Sequence, residues 1–296
     1  MKRMHFSKTL FTLTLAVSAC AQKQSINQTN QAKETQKNSN QTHMPSPQTL
    51  TEPKTSNRIH ASTAQTTAEL RFPKEFDAIS SQDTIYSQEV VNANMLPRGS
   101  ALLTQSGNLH TQGITAILHA ASGSAGRGDP QFIPTLEGVE LSVKNSLTLA
   151  QQHGHKRIAI PFIGSGIFLS RVGATRQQLA DTIVRAALES RGNLEIQFVI
   201  IGKKDVPLFT TSLDEIKKKP DFQSLQPNNA QIQQGDILDF KLHGATAIIN
   251  AANMEVQFGG GISGAIGNAT GKSAKIDDEA RELIRLFNAR VSEMLK

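Results

Sequence analysis

The chain of 296 residues has one cysteine, Cys20, no tryptophan and one tyrosine, Tyr86. A lone cysteine excludes a disulfide within the chain, so the fold rests on its apolar core. Without tryptophan and with one tyrosine, a stacking platform for single-stranded nucleic acid lacks material. The apolar run Leu10–Ala19 is too short to cross a bilayer as a stable helix. No spacing of His, Asp and Glu matches a zinc site. His153 and His155 fall at a helix end, where a positive histidine is favoured without any function, and His119 stands alone.

The net charge is +6. Lys2, Arg3 and Lys8 supply three of those charges, and 6 − 3 leaves +3 for the remainder. So mild an excess does not argue for a nucleic-acid partner.

What is present begins with MKRMHFSKTLFTLTLAVSAC. A basic start, a short apolar run and small residues before a cysteine form a signal-peptide layout. Val17-Ser18-Ala19-Cys20 resembles the lipobox of bacterial lipoproteins. That resemblance implies lipidation at Cys20, removal of 1–19, and attachment to the bacterial cell envelope. Ala21 after the cysteine points to the outer membrane. Residues 20–70 are rich in Gln, Asn, Thr, Ser and Lys. They have too few apolar side chains to offset their ordering entropy, so a tether is expected, with a reach of roughly 40 Å.

The remainder, 71–296, is long enough for one α/β domain. Ala101–Thr104, Ile114–His119, Arg157–Ile163, Leu194–Ile201, Ile232–Gln234 and Ala247–Asn250 read as strands. Leu136–His153, Thr175–Ser190, Val206–Lys219, Gly264–Thr270 and Asp277–Leu295 read as helices. This alternation predicts a parallel or mixed sheet covered by helices on both faces.

Two glycine loops stand at strand ends. Gly259-Gly260-Gly261 precedes a helix beginning at about Ile262, and Gly164-Ser165-Gly166 follows the strand from Arg157. Glycine admits a ligand close to the backbone, and a helix N-terminus offers unpaired N–H groups. A diphosphate suits that pair. Gly259, Gly261 and Gly264 match G-x-G-x-x-G only formally, because residues 251–258 separate them from the strand. Gly164-Ser165-Gly166 lacks the spacing of a nucleophile elbow, which argues against serine-hydrolase chemistry.

GDILDFKLHGATAIINAANMEVQFGGGISGAIGNATG, residues 235–271, resembles the first half of a macro domain, the ADP-ribose-binding module. Stretches within 99–168, ending in FIGSGIF, resemble its second half. The order is reversed, because ordinary macro domains carry the Asn-Ala-Ala-Asn strand first. The chain therefore resembles a circularly permuted macro domain, with a second half at about 85–219, a linker at 220–230 and a first half at 231–296. The resemblance implies a three-layer α/β/α mixed sheet, no cofactor, and ADP-ribose or an ADP-ribosylated protein as partner.

It also assigns roles. Asp236 matches the acid that accepts from the adenine amino group, and Ile237 its neighbour along the base. Asn250 and Asn253 match the two asparagines, with Asn253 orienting the distal ribose for chemistry. Gly259, Gly260, Gly261 and Ile262 match the diphosphate loop. Gly164, Ser165, Gly166, Ile167 and Phe168 match the opposing loop. Plainer roles stand beside these: Asn250 closing a strand end, Asp236 forming a turn, Phe168 filling the core. Ser263 and Gly267 occupy positions where many hydrolytic members carry an acid and a histidine. Viral members resemble this loop more closely, and their chemistry needs no acid there. The resemblance thus leaves two readings, a hydrolase of ADP-ribosyl or O-acyl-ADP-ribose linkages and a non-catalytic ADP-ribose reader.

Overall fold

A computed structural model describes residues 59–60, 77–124, 130–220 and 229–294. Cys20, the expected leader and tether, and most of the expected linker lie outside the described residues.

Seven strands form one sheet: β1 (Ile79–Ser80), β2 (Ala101–Gln105), β3 (Ala116–Ala121), β4 (Arg157–Ile160), β5 (Glu195–Ile200), β6 (Ala230–Gln234) and β7 (Ala247–Ala252). Their spatial order is β1-β2-β3-β7-β4-β5-β6. β1–β2 and β2–β3 pair antiparallel, and the other neighbours pair parallel. The sheet is therefore mixed, as the alternation of elements predicted. β7, the last strand in the chain, occupies the centre. It runs beside β3 from Ala116↔Ala247 to Ala121↔Ala252, and beside β4 at Ile158↔Ala247.

Helices cover both faces because side chains alternate along each strand. Leu118, Ile158, Phe198 and Ile249 face α2 (Leu136–Gln152), α4 (Arg176–Ser190) and α5 (Val206–Lys217), packing on Val143, Ile183 and Phe209. Ile117, Ala159, Val199 and Ile248 face the other way, onto Ile266 of α7 (Gly261–Thr270) and the segment around α6 (Phe240–His243). Further along that face, Leu102 and Ala121 meet Ile284 and Phe287 of α8 (Ser273–Met294), which also packs on the short α1 (Gln88–Asn92). A four-residue helix, α3 (Leu169–Val172), follows β4. The result is the expected three-layer α/β/α arrangement. No helix among the described residues is long and apolar enough to cross a membrane.

Local chemistry sets the ends. Thr135 caps α2, accepting the Gly138 N–H at 3.0 Å. Thr175 and Gln178 form a reciprocal capping box at α4. β4 stops at Ile160, three residues before the expected Ile163, because Pro161 has no N–H to continue the ladder. α7 starts at Gly261, earlier than the expected Gly264, and α8 at Ser273 instead of Asp277.

Since β3, β7, β4, β5 and β6 are parallel, their carboxyl ends share one edge. Ligands of open α/β sheets bind at that edge.

Candidate functional site

The loops after β4, β5, β6 and β7 enclose a cavity of about 520 Å³ at this edge. Asp236, Ile237, Asn253, Gly259 to Ser263, and Gly164 to Phe168 all line it. The fold thus brings together residues from both halves of the resemblance, whose order along the chain is reversed. Asn250 is the exception, being wholly buried at the β7 end and not part of the lining.

The triple-glycine loop is built to present backbone. Gly260, the N-cap of α7, offers no side-chain cap, so the first N–H groups of the helix have no local acceptor. A Cβ at Gly259, Gly260 or Gly261 would meet nothing within 4 Å, so the cavity reaches the backbone there. Two inward bonds hold the loop. Phe258 N–H donates to Asp277 Oδ1 at 3.0 Å, and Gly259 N–H to Ser263 Oγ at 3.4 Å. Burial raises the Asp277 pKa, opposed by that same Phe258 N–H. Gly260, Gly261 and Ile262 N–H have no protein acceptor among the described residues.

Beneath the loop a polar chain runs into the core. Ser263 Oγ also accepts from Asn250 Nδ2 at 3.3 Å, and the same nitrogen lies 3.1 Å from His119 Nδ1. His119 Nε2 meets Thr104 Oγ1 at 2.8 Å. Nδ1 receives a donor, so the ring proton belongs on Nε2 and points to Thr104. Complete burial depresses the His119 pKa to about 3, and the ring is neutral. His119 is therefore a framework residue out of reach of the cavity, and Asn250 links it to the loop.

Asn253 is half-buried at the cavity wall. Its Oδ1 accepts the Gln257 N–H at 3.1 Å, which fixes the amide plane and leaves Nδ2 without a protein partner among the described residues. The intervening turn contains Val256 at φ 52°, a left-handed conformation costing a branched residue on the order of 1–3 kcal/mol. Burial of the Val256 side chain against α8 holds it there. Gly267, on the next helix, admits the Phe258 ring, because a Cβ there would stand 2.7 Å from it.

Asp236 follows β6, is exposed, and accepts the Leu238 N–H at 2.9 Å through Oδ1. The turn-forming role is thus present, and Oδ2 remains without a protein donor among the described residues. Ile237 lies beside it at 4 % exposure and joins the core below the cavity. Phe168 is buried and also lines the cavity, whereas Ile167 is 76 % exposed at its rim. Ile201, expected inside a buried strand, falls just past the end of β5 and is a second exposed rim residue at 78 %.

Sequence reasoning missed Arg176 and Asp205. Asp205, after β5, lines the cavity, and Arg176 at the start of α4 holds it with two bonds of 2.9 and 2.7 Å. The lining contains no Lys, Arg or His among the described residues, and includes two acids, Asp205 and Asp236. Attraction of an anion therefore falls to backbone N–H groups and the α7 dipole. No group of three or more His, Cys, Asp or Glu among the described residues is placed to hold a metal ion.

A search of curated proteins found no match to this chain. Macro domains generally bind ADP-ribose, and the family model for the macro domain matches residues 77–179, which supply β1 to β4, the Gly164–Phe168 loop and the start of α4.

Proposed function

We propose that the cavity binds ADP-ribose, with the diphosphate between the two glycine loops and the adenine at Asp236 and Ile237. One observation carries this reading. Gly260, Gly261 and Ile262 line the same cavity as Gly166, Ile167 and Phe168, and the N–H groups of all six have no protein acceptor among the described residues. Two sets of free amides from two loops of one cavity suit two linked phosphates better than a single anion. Asp236 accepts from an exocyclic amino group at one end, and Asn253 Nδ2 reaches a ribose hydroxyl at the other.

We further propose that the whole domain is a circularly permuted macro domain. The central position of β7, last of the strands in sequence, supports this, as does a family match that ends before residues 235–271. The chemistry we assign is hydrolysis of an ADP-ribosyl or O-acyl-ADP-ribose linkage. In the ADP-ribosyl case, water adds to the anomeric carbon, the bond to the modified group breaks, and the water proton passes to the leaving oxygen. Ser263 is buried and tied to Asn250 and Gly259, so it is no general base. The water is instead activated by the substrate's own phosphate, and loop amides stabilise the charge. Ser263, standing where many hydrolytic members carry an acid, favours the alternative, a non-catalytic reader. We place either activity at the bacterial envelope, through lipid on Cys20.

Calorimetry with ADP-ribose and with ribose 5-phosphate tests the binding mode. ADP-ribose should bind, and Asp236→Ala should weaken it by about 1.5–3 kcal/mol through loss of a charge-assisted bond. Ribose 5-phosphate should be affected far less. Equal losses would reduce Asp236 to a turn former.

A further inference from the structure

We propose that the Arg176–Asp205 pair locks the Ser165–Gly166 peptide in the orientation that an anion requires. Arg176 is then a positioning residue. The inference rests on the reading of the cavity as a diphosphate site.

Among the described residues the lining has no cationic side chain, so the direction of each loop peptide decides whether the loop attracts or repels a phosphate. Four carbonyls between Phe162 and Phe168 are held by the protein, with Phe168 O accepting the Arg171 and Val172 N–H groups at 2.9 Å each. Phe162 O accepts Ser165 N–H at 3.3 Å and Ser165 Oγ at 2.8 Å. Gly166 O accepts Leu169 N–H at 3.1 Å. Ser165 O accepts one guanidinium nitrogen of Arg176 at 3.1 Å. The N–H groups of Gly166, Ile167 and Phe168 have no protein acceptor among the described residues.

A trans peptide points its C=O and N–H in opposite directions, and the chain has no cis bond among the described residues. Holding Ser165 O on Arg176 therefore aims the Gly166 N–H away from Arg176. Among the described residues, the C=O and N–H of this peptide make no other hydrogen bond. Gly166 has no Cβ, and one placed there would meet no atom within 4 Å. Glycine adopts positive and negative φ about equally, so the peptide before Gly166 can flip without a Cβ penalty. Rotation would put the negative carbonyl end where the N–H stood.

The guanidinium is itself immobilised. Its Nε and Nη2 each donate to one Asp205 oxygen, and it lies 5.0 Å from the Phe162 ring centroid. Gly202 leaves room for the carboxylate, since a Cβ there would stand 2.6 Å from Asp205 Oδ2. An arginine at the first residue of a helix opposes the dipole. Its position is explained by what it grips, not by the helix it begins. Asp205 also neutralises it, so the pair adds direction to the site and no net charge.

The test uses the full chain with labelled glycine. Arg176→Met should shift or split the Gly166 amide resonance without any ligand. ADP-ribose affinity should fall about tenfold as the Gly166 N–H loses its direction and Asp205 loses its counter-charge, with adenosine changing less than about twofold. Asp205→Asn, which loosens the guanidinium while preserving shape, should give the same pattern more weakly, and serves if the methionine variant fails to fold. An unmoved Gly166 resonance overturns the lock, and so does equal weakening of adenosine and ADP-ribose. If the wild type binds no ADP-ribose, the diphosphate reading fails, and the Gly166 resonance alone still decides the lock.

Discussion

The side-chain nitrogen of Asn250 stands 3.1 Å from Nδ1 of His119, and both residues are wholly buried. A buried neutral imidazole thus holds the asparagine that reaches the glycine loop. The folded protein keeps His119 neutral down to about pH 3, whereas the unfolded chain protonates it near 6.5. Between those values the unfolded state binds more protons, so stability falls as pH falls, by up to ~1.4 kcal/mol per pH unit. His155 and His243, also lowered mainly by burial, act in the same direction. His119→Gln should be less stable at pH 7 yet show a flatter decline from pH 6.5 to 4. Thermal melts across that range, compared with wild type, isolate the His119 share. Parallel curves would mean that the ring is not held neutral.

Neighbouring glycines of the first loop should respond oppositely to alanine. Gly260 has φ −87° and open space where a Cβ would be. Gly260→Ala should leave stability within about 0.5 kcal/mol, as for a surface change. Its methyl would stand between backbone and ligand, so ADP-ribose affinity should drop at least about tenfold. Gly264→Ala puts a Cβ 2.3 Å from the Gly259 carbonyl and should destabilise the fold itself. Melting and calorimetry on both variants separate the cases. Undiminished affinity in Gly260→Ala would place the phosphates elsewhere.

The tether carries its own test. Cys20→Ser should move the protein from the membrane to the soluble fraction, since acyl chains supply about 0.8 kcal/mol per buried CH₂. Unchanged fractionation of the variant would remove the lipoprotein reading.

Periodicity and punctuation made most of the fold legible. The helix expected over Leu136–His153 is α2, and the glycine triplet expected to meet a ligand lines the cavity. Boundaries slipped where one residue's chemistry overrode the pattern. Pro161 cut β4 short, and Gly271, in the left-handed region at the end of α7, let α8 begin at Ser273. Arg176 and Asp205 are 29 residues apart, and His119 and Asn250 are 131 apart. Such pairs meet only through strand order, and nothing in either local sequence announces the partner. The reach of Asn250 was missed for the same reason. The motif named the residue, but His119 and Ser263 give it a role below the cavity floor.

Asn253 separates enzyme from reader. Its Oδ1 supports the loop through Gln257, so alanine would remove both a loop contact and the free Nδ2. Asn253→Asp retains the acceptor for Gln257, loses the donor expected to orient the distal ribose and adds one negative charge there. If the protein is a hydrolase, this variant should keep ADP-ribose affinity within a few-fold. Turnover of a mono-ADP-ribosylated protein should fall on the order of 10²-fold, because a misplaced anomeric carbon costs rate more than binding. The base and diphosphate contacts, at Asp236 and the glycine loops, are untouched by the change. Single-turnover release and calorimetry on the same preparations give both numbers. A wild type that binds ADP-ribose, yet releases none from acid-linked or acylated substrate, makes the domain a reader. In that case Asn253→Asp should alter affinity alone.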